Sequence, residues 1–381
     1  MHIECNLTKF RNAVEWVAKS LDARPMNASH GGIRLTVAED DKTSLSVTAT
    51  GQDHSSHIVI PVVTETAMDV VISGKLLAEI VKLVKGDLVT FSSNENPVRK
   101  VSLKIGKLKY VLPTLSVENY PLAPNYPDTI GSVNGKAFLV AARRAKTAAA
   151  ADGSALPVLA AVQMHVDPNT KLITLAATDR YRLAVSTVPY VPSPNQQEPT
   201  TMLLAGKEVV DAAFHDETLD WAAGGASNGV YGVKGAGRQF TGRLVTGQFP
   251  EWGKLISTAT ATTSVIINAA EMADCIKRVA LVAVGETPRV QVKFANNMAT
   301  ISIHDDGGSA SAEDSLTVTH EGADFDAVYN AKYLAAAFTA VGSSTTIFTG
   351  NESSKPALVS LYDTEKKAVD PSYKYLVMPV K

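Results

Sequence analysis

The residues that could do chemistry in this chain are dispersed. A phosphate-cradling G-x-x-x-x-G-K-[ST] run is absent, and the glycine-dense stretch Gly229 to Gly237 lacks dinucleotide spacing and reads as a β-hairpin. His320-Glu321 is followed by Gly322-Ala323-Asp324, so no H-E-x-x-H pair forms, and the eight histidines are scattered as surface residues. No G-x-S-x-G turn presents a serine nucleophile. Asp305-Asp306 could begin a cation site, but no third carboxylate follows at a usable spacing, which leaves a solvated turn. Cys5 and Cys275 are the only cysteines; two distant thiols fit a reducing compartment and neither a disulfide frame nor a metal cage. Asn6-Leu7-Thr8, Asn27-Ala28-Ser29 and Asn351-Glu352-Ser353 match the glycosylation pattern. The opening Met1-His2-Ile3-Glu4-Cys5 has no basic-then-apolar leader to bring them to a secretory route. The expectation is a protein with no catalytic residues, no metal and no cofactor.

Positive charge is the chemistry that recurs. Lys136, Arg143, Arg144 and Lys146 cluster on one expected helix; Lys9, Arg11, Lys19, Arg24, Lys75, Lys82 and Lys85 lie earlier, and Lys277, Arg278 and Lys332 later. A basic face without interleaved aromatics suits contact with phosphates regardless of base sequence. The formal net charge of −2 excludes a uniformly basic coat but says nothing of where the charges sit. One segment opposes the trend: Lys207 to Asp220 carries Glu208, Asp211, Asp216, Glu217 and Asp220, so part of it faces away from any polyanion.

The elements that must position these residues repeat. Tyr120-Pro121, Phe249-Pro250 and Met378-Pro379 each close a strand-like run, 249 − 120 = 129 and 378 − 249 = 129 residues apart. Lys75, Lys207 and Lys332 each open an Ala/Leu/Val-rich helical run, at steps of 132 and 125. Three copies of one domain of about 125 residues follow, a common single-domain size, and 381 residues suit two or three cores. Each copy reads as strand, helix, strands, helix, strands. In the first, a helix over 7–20 with Phe10, Val14 and Val17 on one face precedes strands at 33–37, 45–49 and 57–61, a helix from 74 to about 85, and strands at 88–92, 100–105 and 107–112. The second runs through a strand at 130–134, a helix over 135–151, strands at 161–166, 172–176 and 183–188, a helix from 206, and strands near 219–223, 230–233 and 239–244. The third has a strand at 264–268, a helix over 270–282, strands at 290–294, 298–304 and 315–320, a helix over 331–340, and strands at 345–348, 357–361 and 375–379. The fold class is α+β, two helices packed on antiparallel sheet three times over, with domains at 1–126, 127–258 and 259–381. The connectors 121–127 and 257–263 are short, 189–199 is proline-rich and extended, and 305–314 is an acidic hairpin tip. No apolar run reaches about 18 residues, so no helix is expected to span a membrane.

The run Leu175-Ala176-Ala177-Thr178-Asp179-Arg180-Tyr181-Arg182-Leu183-Ala184-Val185 resembles the central motif of the bacterial DNA polymerase III β subunits, the β sliding clamps. Leu21-Asp22-Ala23-Arg24-Pro25 resembles that family's loop after the first helix, Gln248-Phe249-Pro250-Glu251-Trp252 the close of its second domain, and Tyr375 to Lys381 its C-terminus. Leu156-Pro157-Val158-Leu159 looks most like actinobacterial members. The resemblance covers the whole chain.

It implies three DNA-clamp domains forming half of a closed ring. The partner would be a second copy bound head to tail, with double-stranded DNA held in the hole independently of its sequence. Arg24 and Lys207 fall on family DNA-contacting positions; Arg143, Arg144 and Lys146 are added here on charge alone. A client-peptide pocket is implied at Leu159, Thr178, Arg180, Tyr181, Arg182, Leu183, Pro250, Lys254, Leu255, Val377, Met378, Pro379 and Val380. Its clients would be the polymerase III α subunit, the clamp loader, other polymerases and repair proteins, each through a short motif. Tyr110 and Leu112 would meet the partner's copy of Leu281 and Val282 at the ring seam. The expected location is the cytoplasm, at the nucleoid. Gly253-Lys254 stands where family members often carry two basic residues, 305–314 is unusually acidic, and module three is the least typical. Two other readings stay open: a divergent clamp that binds client peptides without closing on DNA, and a hydrolase or nuclease, for which no paired catalytic groups are visible.

Overall fold

The computed structural model describes residues 2–93, 98–211, 218–223, 229–257, 261–283, 285, 287–304, 310–342 and 344–380. Outside the described residues lie the tip 305–309 with its Asp305-Asp306 pair, the connector stretch 258–260, residues 212–217 of the expected second helix of module two, and Lys381.

Module one comprises β1 (His2–Asn6), α1 (Leu7–Val17), β2 (Gly32–Val37), β3 (Ser44–Thr50), β4 (His54–Thr64), β5 (Met68–Ser73), α2 (Gly74–Leu83), β6 (Leu88–Ser92), β7 (Lys100–Ile105) and β8 (Leu108–Leu115). Module two continues with β9 (Thr129–Asn134), α3 (Gly135–Lys146), α4 (Pro157–Ala160), β10 (Ala161–Asp167), β11 (Leu172–Thr178), β12 (Arg182–Pro192), β13 (Thr200–Ala205), α5 (Gly206–Asp211), β14 (Thr218–Ala223), β15 (Val230–Gly235), β16 (Arg238–Arg243) and α6 (Gly253–Ser257). Module three holds β17 (Thr263–Asn268), α7 (Ala269–Val279), β18 (Arg289–Ala295), β19 (Met298–His304), β20 (Ser311–Thr317), β21 (Thr319–Gly322), β22 (Phe325–Asn330), α8 (Ala331–Thr339), β23 (Thr345–Gly350), β24 (Ala357–Asp363) and β25 (Ala368–Val377).

The repeat is carried by local chemistry. An asparagine side chain caps the first helix of every module, accepting from Lys9 N–H at 3.0 Å at Asn6, from Ala137 N–H at 2.9 Å at Asn134 and from Glu271 N–H at 3.1 Å at Asn268. The Gly-Lys start of the second helix in modules one and two is a close approach: a Cβ on Gly74 would stand 2.3 Å from Leu21, and one on Gly206 2.6 Å from the Ala160 carbonyl. Helix α1 buries Leu7, Phe10, Ala13, Val14 and Val17 along one stripe. Phe10 meets Phe91 edge to face at 5.1 Å, inside a core that also takes Ile33, Leu35, Val47, Leu77 and Leu103. Each such buried side chain stabilises by roughly 1.5–3 kcal/mol relative to exposure.

The chain packs as two units, Met1–Ser132 with Asp216–Leu244 and Val133–His215 with Val245–Lys381. In the first, β16 pairs antiparallel with β4, Arg238 opposite Ile58, so the last hairpins of module two share a sheet with module one. In the second, one sheet continues from β11 through β12, β25, β24 and β23 to β17, joining modules two and three. A separate four-stranded sheet, β20-β19-β18-β22, completes module three.

Three readings are revised. Helix α3 ends at Lys146, not near 151. Asp220 lies on β14, so the acidic segment 207–220 is not one helix. The strand just before each second helix, β5, β13 and β22, was not anticipated in any module.

Candidate functional site

The turn from β11 into β12 is built on Asp179. One carboxylate oxygen accepts the N–H groups of Tyr181 at 3.0 Å and Arg182 at 3.1 Å; the other accepts Arg182 Nε at 2.8 Å. Thr178 Oγ1 donates to the Arg182 carbonyl at 2.7 Å and accepts from Arg180 N–H at 3.1 Å. Arg180 is held at φ +80°, a left-handed conformation costing a non-glycine residue about 1–2 kcal/mol. The result is a rigid turn with Tyr181 60% exposed at its crest.

Beneath it, the Asp179–Arg182 pair is largely shielded, with side chains 10% and 15% exposed, and the guanidinium lies 4.2 Å over the Tyr333 ring. Tyr375 donates its hydroxyl to the Tyr333 carbonyl at 3.1 Å; burial pushes its phenol up to about 12, so it stays a donor at neutral pH. The C-terminal tail is stitched to the same place. The β12·β25 ladder sets Arg182 opposite Val377, Met378 N–H donates to Tyr181 O at 2.9 Å, and Val380 N–H to Val328 O at 2.8 Å.

A recess of about 390 Å³ opens there, lined by Tyr181, Tyr333, Met378, Pro379 and Val380, with Thr287, Arg289 and Asn330 at its polar edge. Of the expected pocket residues it thus gathers Tyr181, Met378, Pro379 and Val380. Thr178 and Arg182 support the turn behind it, while Arg180 is exposed beside it. Leu159, Leu183 and Val377 are buried, Leu183 in an apolar cluster with Phe249 and Leu376 onto which Trp252 and Ile256 pack. Trp252 Nε1 anchors that segment to Gln163 at 2.9 Å. Pro250, Lys254 and Leu255 are exposed on and before α6 and do not line this recess. Tyr333, Asn330, Thr287 and Arg289 were missed, because only the β12·β25 pairing brings module three to the Asp179 turn.

The basic residues divide. Arg24 is exposed in the loop after α1, which Asp22 pins by accepting Gln52 N–H at 3.0 Å; Lys207 is exposed in the first turn of α5, and Arg143 on α3. Lys146 is half-buried. Arg144 is turned against the Tyr373 ring at 5.5 Å, and burial lowers its pKa. Arg11 is not a free surface cation: its guanidinium donates to the carbonyls of Val81 at 2.7 Å and Val84 at 2.6 Å, tying α1 to the end of α2. Arg278 pairs with Asp314 at 2.5 Å, which fixes β20 to α7.

At the expected seam, Leu281 is 83% exposed in the turn after α7, and Val282 is half-buried against the core of module three. Tyr110 and Leu112 share the inward face of β8; Leu112 is 5% exposed and belongs to its own core, so it is not free to meet another copy. Val111, 57% exposed, stands on the opposite, outward face of that strand, while Leu108, 45% exposed, shares the Tyr110 and Leu112 face at the strand's start. Residues 108–113 of β8 pair only with β7, and β20 only with β19, among the described residues. Both cysteines are buried, which pushes each thiol up to about 12 and makes it a poor nucleophile. Among the described residues no cluster of His, Cys, Asp and Glu could hold a metal ion, and no helix is long and apolar enough to cross a membrane.

Comparison with known proteins bears on the whole chain. The models for the DNA polymerase III beta subunit match throughout: N-terminal domain over residues 1–125, central domain over 132–251 and C-terminal domain over 256–381. A beta sliding clamp of Streptomyces coelicolor is 31% identical, covering 100% of this chain and 99% of that protein. The beta sliding clamp homolog GriR of Streptomyces muensis is 27% identical over 97% of this chain and 96% of its own. The solved sliding clamp of Pseudomonas aeruginosa bound to griselimycin superposes with a TM-score of 0.86 at 19% identity, over 100% of this chain and 99% of that one.

Proposed function

This chain belongs to the DNA polymerase III β-subunit family, the sliding clamps, and on that premise we propose how its parts serve the task. It is a non-catalytic replication subunit of three clamp domains, whose family works as a dimer with DNA and polymerase as partners. Two copies close head to tail into a ring around duplex DNA, with domain limits near 1–126, 127–258 and 259–381. A closed ring holds DNA by topology, so weak and salt-sensitive phosphate contacts suffice and leave it free to slide. Arg24, Lys207 and Arg143 are exposed as such contacts require; Arg144 and Lys146 contribute from more sheltered positions.

The observation that carries this reading is one open strand edge in module one and one in module three. Residues 108–113 of β8 in module one and all of β20 in module three lack a second neighbour among the described residues; exposed Val111 lies on the first, and exposed Leu281 follows α7, which Arg278 ties to the second. An open edge invites a strand from another chain, and two unlike edges suit a heterologous contact that closes. The recess at Tyr181 and Met378 takes a short apolar peptide, by which the polymerase III α subunit, the clamp loader and repair proteins would dock in turn. The cytoplasm, at the nucleoid, is where this work would be done.

The test is retention on nicked circular DNA after treatment with a clamp loader. A ring stays on the circle and is lost when the DNA is linearised; equal loss from both forms would refute the topological account. A second reading, a specialised clamp serving beside another, is favoured by the match to the GriR homolog and by Gly253-Lys254. It predicts the same ring and a different order of client affinities.

A further inference from the structure

We infer that the recess at Tyr181 and Met378 selects peptides that carry an acidic side chain beside their apolar anchor, and that Arg289 sets this preference. The inference rests on the peptide reading of that recess and adds the class of peptide it takes.

The recess, about 390 Å³, has two kinds of wall. Tyr181, Tyr333 and the Met378 to Val380 tail give an apolar floor for an apolar side chain. Its edge is Thr287, Arg289 and Asn330, and each of these presents donors. For Asn330 this follows from the fold. Its side-chain oxygen caps α8, accepting Lys332 N–H at 2.9 Å and Tyr333 N–H at 3.3 Å, which occupies both lone pairs and leaves the NH2 group to offer a ligand. Arg289 brings the charge. It stands opposite Asn330 in the β18·β22 ladder, and Ala331 N–H donates to the Pro288 carbonyl at 2.8 Å, so the start of β18 is fixed against the start of α8 while the arginine side chain stays exposed. Among the described residues no carboxylate lines the recess. The Asp179 carboxylate behind the turn is taken by Arg182 and by two backbone N–H groups.

A second cation stands on the Asp179 turn. Arg180 is exposed next to Tyr181 and held at φ +80°, where a glycine would be free of strain and an arginine is not. The turn itself does not call for an arginine, and positive charge is what that side chain adds. Cations and neutral donors around an apolar floor complement a segment in which an aspartate or glutamate adjoins an apolar residue. A basic neighbour would be repelled by the same edge. The acid is a side chain and not a chain end, because Arg180 and Arg289 stand on different elements and a segment crossing the floor can meet both.

The test uses the full-length protein and fluorescent peptide pools, acetylated and amidated at their ends. Each pool has two adjacent leucines fixed and Asp, Asn or Lys fixed on both flanks. By anisotropy the wild type should bind the Asp pool about fivefold tighter than the Asn pool, the size of a partly exposed charge pair, with the Lys pool weakest and the differences shrinking as salt rises. Arg289→Gln should bring the Asp and Asn pools together, Arg289→Lys should keep most of the gap, and Arg289→Glu should turn the preference toward Lys. Arg180→Gly should narrow the gap in part without lowering the urea midpoint. Equal binding of all pools by the wild type, or an unchanged preference in Arg289→Gln, overturns the assignment and leaves the peptide recess standing. If the Asn pool with a free C-terminal carboxylate gains as much as the Asp pool, the anion is a chain end and the inference falls. Failure of every pool to bind removes the peptide reading itself, and the preference with it.

Discussion

Arg182 shows how much one side chain can hold in register. It closes the Asp179 turn, covers Tyr333 and sits where β12 meets β25. Removing it would leave the Asp179 carboxylate shielded from water without its cation, which typically costs about 3–5 kcal/mol. Arg182→Ala should therefore lower the urea midpoint markedly, and Arg182→Lys less, since a lysine keeps the charge but loses the flat stack on the ring. A midpoint unchanged in Arg182→Ala would mean that the pair is idle. The tail makes a separate claim. Met378, Pro379 and Val380 line the recess, whereas Val377 is the last residue of β25. Deleting 378–381 should abolish binding of a client peptide, read by fluorescence anisotropy, while light scattering still reports a dimer. Undiminished binding would move the peptide elsewhere. The sequence motif pointed to these residues, but it could not rank them. Leu183 and Tyr181 stand two positions apart in one run, and only the turn geometry makes the first core and the second surface.

At the scale of elements, the asparagine caps are the simplest shared device. Asn268→Ala should destabilise by about 1 kcal/mol, and Asn268→Asp or Asn268→Ser should restore most of it, because each supplies an oxygen to the Glu271 N–H. Equal loss in all three would show that the cap bond is not what stabilises α7. The first helices were legible from their apolar spacing, and the edges of most strands from alternation. The strands before the second helices were not, for a physical reason common to all three. Each runs without a turn into the helix that follows, and Met68–Ser73 and Thr200–Ala205 bury three consecutive residues, so alternation is lost there, while Phe325–Asn330 alternates up to Tyr329. Module three looked atypical because its long strand is broken. β20 pairs with β19 and β21 with β17, dividing the work that β4 does in one piece with β3 and β1. Gly322 permits the turn after β21: at φ +96° a Cβ would stand 2.1 Å from the Thr262 carbonyl.

For the whole molecule, the decisive question is whether two unlike faces meet. The head-to-tail account assigns Val111 to one face and Leu281 to the other, both strongly exposed in the single chain. Val111→Glu damages every seam of a ring built from that variant alone, and so does Leu281→Glu, because each seam needs one face of each kind. An unpaired carboxylate buried in an apolar seam costs several kcal/mol, and each 1.4 kcal/mol is a tenfold loss of affinity. Both variants should thus be monomers at micromolar concentration by light scattering. Mixed together they should not be: the Val111→Glu chain keeps its Leu281 face, the Leu281→Glu chain keeps its Val111 face, and these two can still join. The mixture should yield a one-to-one dimer with a single intact seam, the other seam carrying two carboxylates that repel. Such an open pair should bind client peptides at both recesses yet fall from nicked circular DNA as fast as from linear DNA. A twofold contact of like with like would behave otherwise, since one of the two variants would remain dimeric by itself. That outcome, or a mixture that stays monomeric, would remove the basis for a closed ring.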